Sequence, residues 1–213
     1  MTKDTPKADT RPPLTEAQRR AGRLRLLMVL LVCASPMIFS YLTYYVIKPT
    51  GRTNYGTLID PRNYPIPPMA ATTLDGKPSG LDAFKGKWVM LKVGPAECGD
   101  DCRRQLVAMR QLRLMQGKEM ERIERVWLVT DAAPLDTMLM REHDGVRILR
   151  APREVVEKWL PVEQGGQAFE HIYMIDPLGN LMMRWPKEAD DTVENAGKVK
   201  KDIGKLLKAS AIG

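Results

Sequence analysis

Two cysteines, Cys98 and Cys102, stand four positions apart in the stretch VGPAECGDDCRRQ, between an apolar run and a helical pattern. Thiols at the start of a helix lie near unsatisfied backbone N–H groups and the positive end of the helix dipole, which favours the thiolate. A thiolate is both the nucleophile of disulfide exchange and a soft ligand of Cu(I). The pair could therefore be a redox couple, two metal ligands or a structural disulfide.

The spacing of the pair separates these three chemistries only in part. Three residues lie between the cysteines, whereas two is the usual spacing in oxidoreductases. A reversible disulfide can form if Cys98 lies in the loop before the helix, where the distance between the thiols can shorten. A purely structural disulfide that closes so small a loop would remove little chain entropy. Cys98 is nearer the tip of the loop, and we expect it to be the attacking residue.

A third ligand would have to be a histidine, because Cu(II) needs more than two sulfurs and imidazole is the obvious addition. The chain has two histidines, His143 and His171. His143, in REHDG, is expected at a helix end or in a loop. His171, in FEHIYMID, stands at the entrance of a strand expected beside the cysteine-bearing turn. If the pair binds copper, the predicted ligands are Cys98, Cys102 and His171.

The elements that must position these residues follow from the hydrophobic pattern after residue 69. Strands are predicted over residues 71–74, 88–93, 126–130, 146–149, 171–175 and 181–185, and helices over 79–84, 101–115, 135–141, 152–159 and 190–208. Their order is strand, cysteine-bearing turn, helix, strand, helix, hairpin, helix. This order predicts an α/β fold, a thioredoxin-like sandwich with a central mixed sheet and flanking helices.

A transmembrane helix is predicted over residues 26–47, which contain no charged residue. A helix of this length can cross a bilayer, whereas the apolar part of a cleaved signal peptide is shorter. Arginines are concentrated just before the span, at positions 19, 20, 23 and 25. By the positive-inside rule the N-terminus is cytoplasmic and the C-terminal domain lies in the periplasm of a bacterium, anchored to the inner membrane. That compartment permits disulfides.

The remaining domain boundaries come from composition. Residues 1–25 are predicted to be a disordered cytoplasmic tail, residues 48–68 an extended linker, and residues 69–213 the periplasmic domain. Prolines crowd the linker too closely for a central strand. The net charge is +7, but the basic residues are scattered and form no stripe with interleaved aromatics, so nucleic-acid binding is not expected.

Three stretches resemble motifs of the Sco family of membrane-anchored, thioredoxin-like copper chaperones for cytochrome c oxidase assembly. They are GPAECGDDC at 94–102, VWLVTD at 126–131 with the later pair Asp136-Thr137, and YMIDPLG at 173–179. The resemblance covers about residues 74–185, and the apolar N-terminal segment agrees with it. The chain is similar to a divergent member of that family.

Two positions depart from the family pattern. The family usually has proline after the second cysteine, where this chain has Arg103. The copper-binding histidine of the family usually lies about five residues before the late-strand tyrosine, a position that Ala168 occupies here. His171 lies only two residues before Tyr173, although it follows an acidic residue as the family's histidine does.

The resemblance implies a role in cytochrome c oxidase assembly through Cys98 and Cys102. The protein would either deliver copper, with His171 as a third ligand, or act as a thiol-disulfide oxidoreductase that reduces a copper-accepting subunit. The implied partners are oxidase subunits or other copper and thiol assembly proteins. The alternative is a non-catalytic assembly factor that docks on its partner and keeps the cysteines as a structural clip. A thiol peroxidase is disfavoured, because no Thr or Ser lies three residues before either cysteine.

Overall fold

The structure is a computed structural model that describes residues 15–47 and 54–210. The chain divides into two compact units, Met1–Arg52 and Thr53–Gly213. In the first unit, helix α1 spans Glu16–Leu42 and continues as a π-helical turn over Thr43–Ile47. Among the described residues this is the one helix long and apolar enough to cross a membrane.

Helix α1 begins at Glu16, before the apolar span over residues 26–47 from which a helix was predicted. Thr15 and Gln18 form a capping box at its N-terminus, and the glutamate, alanine, arginine and leucine residues that follow are good helix formers. Residues 16–25 are therefore helical, which corrects the disordered tail predicted over residues 1–25. Residues 1–14 of that tail lie outside the described residues.

The second unit is built on one mixed sheet of seven strands in the described residues. The strands are β1 Thr57–Leu58, β2 Thr72–Thr73, β3 Trp88–Gly94, β4 Ile123–Val129, β5 Arg147–Arg150, β6 Ile172–Ile175 and β7 Leu181–Arg184. Their order is β1-β7-β6-β3-β4-β5-β2, with β3, β4 and β5 parallel to one another and the other pairs antiparallel. The helices are α2 Asp100–Leu114, α3 Thr137–Glu142, α4 Arg153–Trp159 and α5 Val193–Ala209. The predicted thioredoxin-like α/β fold is confirmed.

The central strand β3 is buried on both faces, and its side chains alternate between two hydrophobic clusters. Trp88 and Met90 pack with residues of α2 and α5. Val89 and Leu91 pack on the opposite face with residues of α4. Since side chains alternate along a strand, Lys92 falls on the face that α2 covers. A charged residue is thereby placed under the N-terminal end of the cysteine-bearing helix.

The linker predicted over residues 48–68 is wrong for residues 54–68, which belong to the folded unit; residues 48–53 lie outside the described part. The backbone N–H groups of Tyr55 and Gly56 both donate to Oδ2 of Asp202, a buried residue of α5, at 2.9 Å. Strand β1 then pairs with β7, and Pro65 bridges to Asn180. Proline has no backbone N–H to donate to a neighbouring strand, which excludes it from a central strand. This segment lies along the edge of the sheet, where a missing N–H removes no hydrogen bond between strands.

Candidate active site at the cysteine pair

The two cysteines form a disulfide at the C-terminal end of β3, with their Cα atoms 5.2 Å apart. Cys98 lies in the loop after the strand, Gly99 is the N-cap, and Cys102 lies in the first turn of α2. The placement of Cys98 in the loop is the one that a reversible disulfide requires. Released as a thiolate, Cys102 would lie near the free N–H groups and the positive dipole end of a fifteen-residue helix.

The loop before Cys98 is held by the neighbouring parallel strand. The backbone N–H of Ala96 donates to both carboxylate oxygens of Asp131, at 3.1 and 3.2 Å. The N–H of Thr130 donates to the carbonyl of Gly94 at 3.1 Å. Thr130 and Asp131 directly follow β4, so the ends of two adjacent strands fix the approach to the disulfide. Asp131 belongs to the second stretch that resembles the Sco motifs.

Arg103, which stands where the resemblance expects proline, ties the cysteine-bearing helix to α3. Its Nε donates to the carbonyl of Cys98 at 3.3 Å. Its guanidinium also pairs with Asp136 at 3.6 Å and with Glu142 at 3.8 Å. Asp136 is in turn the N-cap of α3 and accepts from the N–H of Met138 at 2.8 Å. The departure from the family pattern therefore replaces a rigid ring with a set of polar contacts.

The two cysteines differ in exposure. Cys98 is 9% exposed and packs in the hydrophobic core. Cys102 is partly exposed and lines a cavity of about 480 Å³, which we call the disulfide cavity. The expectation that Cys98 is the attacking residue finds no support in this arrangement, because Cys102 is the residue that solvent and a partner can reach.

The walls of the disulfide cavity carry more acidic than basic side chains. The acidic residues are Glu97, Asp100, Asp101, Glu170, Glu188, Asp190 and Asp191, and the basic residues are Lys92, Arg104 and Lys187. Seven carboxylates against three cations give a formal excess of four negative charges. This local sign is opposite to that of the whole chain, whose net charge is +7.

Lys92 is a charged residue at the base of the cavity and is only 2% exposed. Its Nζ donates to the carbonyls of Phe169 at 2.6 Å and Val93 at 3.0 Å. Burial lowers the pKa of Lys92 to about 8, while Asp190 and Asp101 oppose that shift. Sequence reasoning missed this residue, although a lysine inside the apolar run WVMLKV is a signal that could have found it.

Two buried acceptor atoms of the cavity walls have no hydrogen-bond partner among the residues that the structure describes. Gln105, in α2, is 4% exposed; its Nε2 donates to the carbonyl of Glu170 at 2.9 Å, and its Oε1 has no donor. Oδ2 of Asp190, in the 3-10 turn after β7, also has no donor. Burial, first, and the nearby carboxylates of Asp191 and Asp101 raise the pKa of Asp190. Sequence reasoning found neither residue, because they come from elements far apart in the chain.

His171 precedes β6 and does not line the disulfide cavity; the neighbouring ring of Tyr173 belongs to the hydrophobic cluster on the face of the sheet that α4 covers. His171 is buried; its Nδ1 lies 3.0 Å from the carbonyl oxygen of Trp185, and its ring meets that of Tyr173 edge to face. Its Nε2 is buried and has no partner in the described part of the chain; it lies 3.4 Å from the position that a Cβ atom on Gly166 would occupy. Burial is the main cause that lowers the pKa of His171.

The residues in this arrangement do not fit a copper ion. Both sulfurs are bonded to each other, and the His171 ring is enclosed by its own strand and the neighbouring loop. Within residues 15–47 and 54–210, no group of three or more His, Cys, Asp or Glu side chains could hold a metal. The ligand set Cys98, Cys102 and His171 stays a prediction for the reduced protein.

Comparison with solved structures returns Sco proteins. Apo Sco1 of Thermus thermophilus is 21% identical, with a TM-score of 0.52 over 74% of this chain and 99% of that chain. Arabidopsis thaliana ScoI with copper bound is 15% identical, with a TM-score of 0.50 over 73% and 99%. BsSco, described as a member of the Sco family of cytochrome c oxidase assembly proteins with a disulfide switch, is 16% identical, with a TM-score of 0.50 over 71% and 98%. At these identities the likeness shows a shared fold, and the predicted resemblance to Sco proteins is confirmed at that level.

Family models match both units of the chain. The transmembrane-like N-terminal domain matches residues 15–46, which agrees with a single membrane anchor. The transmembrane-like, thioredoxin-like C-terminal domain matches residues 88–210. No curated protein matches the chain. Because the second model covers more than half of the sequence, the chain belongs to the family of transmembrane-like proteins with a thioredoxin-like C-terminal domain.

Proposed function

We propose that the protein is a membrane-anchored thiol-disulfide exchange protein whose working pair is Cys98 and Cys102. The observation that carries this proposal is the disulfide at the N-terminus of α2, with one cysteine buried and the other facing the disulfide cavity. A structural clip has no need of an accessible cysteine or of a cavity beside it. An exchange protein needs both, because a partner sulfur must approach along the axis of the bond that it breaks.

In the reduced protein the thiolate of Cys102 attacks one sulfur of a client disulfide. A mixed disulfide forms between Cys102 and the client, and the second client sulfur leaves as a thiolate. The thiolate of Cys98 then attacks the Cys102 sulfur and releases the first client sulfur. The client gains two electrons as its disulfide becomes a dithiol, and the protein loses two as it forms the Cys98–Cys102 disulfide. A dithiol reductant would return the protein to its starting state by the same steps in reverse.

The setting of this reaction is inferred from the anchor and from the resemblance. Arginines before α1 favour a cytoplasmic N-terminus and a C-terminal domain in the bacterial periplasm, outside the inner membrane. The Sco-like motifs and the Sco structural neighbours favour a client among the copper-accepting subunits of cytochrome c oxidase or their assembly proteins. Copper enters the proposal through this client, whose ligand thiols must be reduced before they can bind the metal.

The proposal is tested with the full-length protein in a non-ionic detergent. All variants carry Cys33→Ser, because Cys33 of the membrane helix is a free cysteine and would add background reactions. The protein with the intact Cys98–Cys102 pair and the Cys98→Ser/Cys102→Ser variant are each incubated with a dithiol reductant and then with a client-derived disulfide peptide. We expect the intact pair to cycle between dithiol and disulfide and to reduce the peptide, and the double variant to do neither.

The same variants are then compared in cells for the activity of assembled cytochrome c oxidase. Loss of oxidase in the double variant, with Cys33→Ser alone retaining it, supports the proposal. Full oxidase assembly by the double variant would contradict it and favour the docking factor with a structural clip.

A further inference from the structure

The disulfide cavity has a charge that the exchange reaction itself does not need. Its seven carboxylates surround the accessible Cys102, and negative charge next to a sulfur disfavours the thiolate on which exchange depends. An acidic wall is therefore a cost to the intrinsic reactivity of the pair, which some other role of the cavity must offset.

The cations of the cavity walls neutralise only part of this charge. Arg104 pairs with Asp101 at 2.7 Å, and Lys187 pairs with Glu170 at 2.7 Å. The ammonium group of Lys92 is bound to two backbone carbonyls at the base of the cavity. Arg104 also reaches Asp191, at the longer distance of 3.9 Å. The carboxylates of the other acidic wall residues have no ion-pair partner within the described residues, and these include Glu97 on the rim and Asp190 in the wall.

Two unpartnered acceptors provide a second, independent observation. Oε1 of Gln105 and Oδ2 of Asp190 are both buried and have no donor within residues 15–47 and 54–210, and the two residues line the same cavity. The orientation of Gln105 is fixed, because its Nε2 already donates to the backbone of Glu170. Unmet buried acceptors are costly, and a ligand with several N–H donors would satisfy them.

We infer that the disulfide cavity binds a cationic side chain, the ammonium of a lysine or the guanidinium of an arginine, that lies next to the reactive cysteine of the client. This inference rests on the proposed function, since the client is the polypeptide whose disulfide Cys102 attacks. Asp190 and Gln105 accept hydrogen bonds from the bound cation, and Glu97 attracts it at the rim. The cavity thereby selects clients with a basic residue beside the cysteine and sets the client sulfur next to Cys102.

The test uses small disulfides that differ in charge. Reduced full-length protein with Cys33→Ser, in a non-ionic detergent, reacts with cystamine, which is cationic, with hydroxyethyl disulfide, which is neutral, and with dithiodiglycolate, which is anionic. The readout is the ratio of the cystamine rate constant to the dithiodiglycolate rate constant. Comparing this ratio between variants cancels the different intrinsic reactivities of the reagents.

Two cavity variants and one control separate the cavity from the general charge of the protein. Asp190→Asn removes the buried acidic acceptor, and Glu97→Gln removes a charge at an exposed position on the rim. Asp144→Asn removes the same charge at an exposed position outside the disulfide cavity. We expect the ratio to fall about fivefold in Asp190→Asn and about twofold in Glu97→Gln, and to stay unchanged in Asp144→Asn.

The outcomes distinguish this inference from the proposed function. Exchange with all three reagents at a ratio that neither cavity variant lowers would overturn the cation site and leave the exchange function in place. An equal fall in all three variants, the control included, would mean that the net charge of the protein acts and not the cavity, and would also overturn the site. Absence of exchange with every reagent would overturn the proposed function and the inference with it.

Discussion

The disulfide cavity and the pocket of His171 were expected to form one site, and the structure keeps them apart. At the disulfide cavity, Cys102 is partly exposed, and two buried acceptor atoms of the lining residues have no partner among the described residues. At His171 the ring is enclosed by Trp185, Tyr173 and Gly166, and its Nδ1 lies 3.0 Å from the Trp185 carbonyl oxygen. The difference shows that one end of the disulfide is open to solvent, while the imidazole of His171 fills the interior.

The comparison is tested most strictly by measuring the rate of disulfide exchange after one substitution in each region. Cys102→Ser should slow disulfide exchange by at least about 100-fold, because the accessible sulfur is gone. His171→Gln should alter the rate by less than about twofold, because no step of the reaction uses the ring. Stopped-flow rates of the reduced full-length protein with a neutral disulfide provide the measurement. A large loss of exchange rate in His171→Gln would show that the ring takes part in the reaction, and that His171 and the cysteine pair form one site.

For the free energy of unfolding, the substitution at His171 should have the larger effect and the substitution at the disulfide cavity the smaller one. His171→Ala should lower the free energy of unfolding by about 2–4 kcal/mol, since it leaves a cavity in the core and an unpaired carbonyl at Trp185. Asp190→Asn should change it by less than about 1 kcal/mol, because it removes a carboxylate whose burial is only partly compensated. Denaturant titration of both variants in detergent gives the two values. Equal losses would mean that the cavity wall is as tightly packed as the core.

Substitutions of two lysines, one buried and one partly exposed, test whether Lys92 stabilises the base of the disulfide cavity. Lys92→Met should cost about 2–3 kcal/mol of folding stability, because the carbonyls of Phe169 and Val93 lose a charged donor in a buried setting. Lys87→Met makes the same chemical change at a partly exposed residue that donates to the Glu121 carbonyl, and should cost less than about 1 kcal/mol. Denaturant midpoints measured side by side check the difference. If the two losses are alike, Lys92 is hydrated and does not hold the cavity base.

The smallest expected effect is on the pH dependence of folding stability, to which His171 and Asp190 contribute with opposite signs. Burial holds the pKa of His171 below its ordinary 6.5, so the unfolded chain binds protons more readily and stability falls as the pH drops through 6.5. Burial holds the pKa of Asp190 above its ordinary 3.8, so the folded chain gains a proton first and this residue adds stability as the pH falls through its raised pKa.

Unfolding curves across this pH range, compared with those of two variants, isolate each contribution. His171→Gln should remove part of the loss of stability below pH 6.5, and Asp190→Asn should remove the opposing gain at lower pH. A pH profile that is identical in wild type and His171→Gln would show that the ring is hydrated in the folded protein.

The sequence was a sufficient guide to the central strands and to the position of the cysteines, because these follow from local patterns. The central strands over 88–93 and 126–130 were found within three residues of β3 and β4, since a run of apolar residues bounded by turns reports burial directly. The cysteine pair was recognised from its spacing and from the helical pattern that follows it.

What the sequence could not predict depends on contacts between distant parts of the chain. The edge strand β1 was missed because its proline-rich surroundings indicate extended backbone without indicating a partner. The acceptors of the disulfide cavity come from Gln105 in α2 and Asp190 after β7, and nothing local brings them together. His171 was expected beside the cysteine turn because of the strand order, but strand order alone does not say whether a ring points into a cavity or into the core.

The central claim is that Cys102 is the accessible, attacking residue and that Cys98 resolves the mixed disulfide from within the core. The most direct measurement is trapping of the mixed disulfide in the two single variants, Cys98→Ser and Cys102→Ser, each in full-length protein with Cys33→Ser. After reduction and reaction with a client-derived disulfide peptide, intact-mass spectrometry should find the peptide attached to Cys98→Ser protein and absent from Cys102→Ser protein. Stable attachment to Cys102→Ser, with none to Cys98→Ser, would contradict the account.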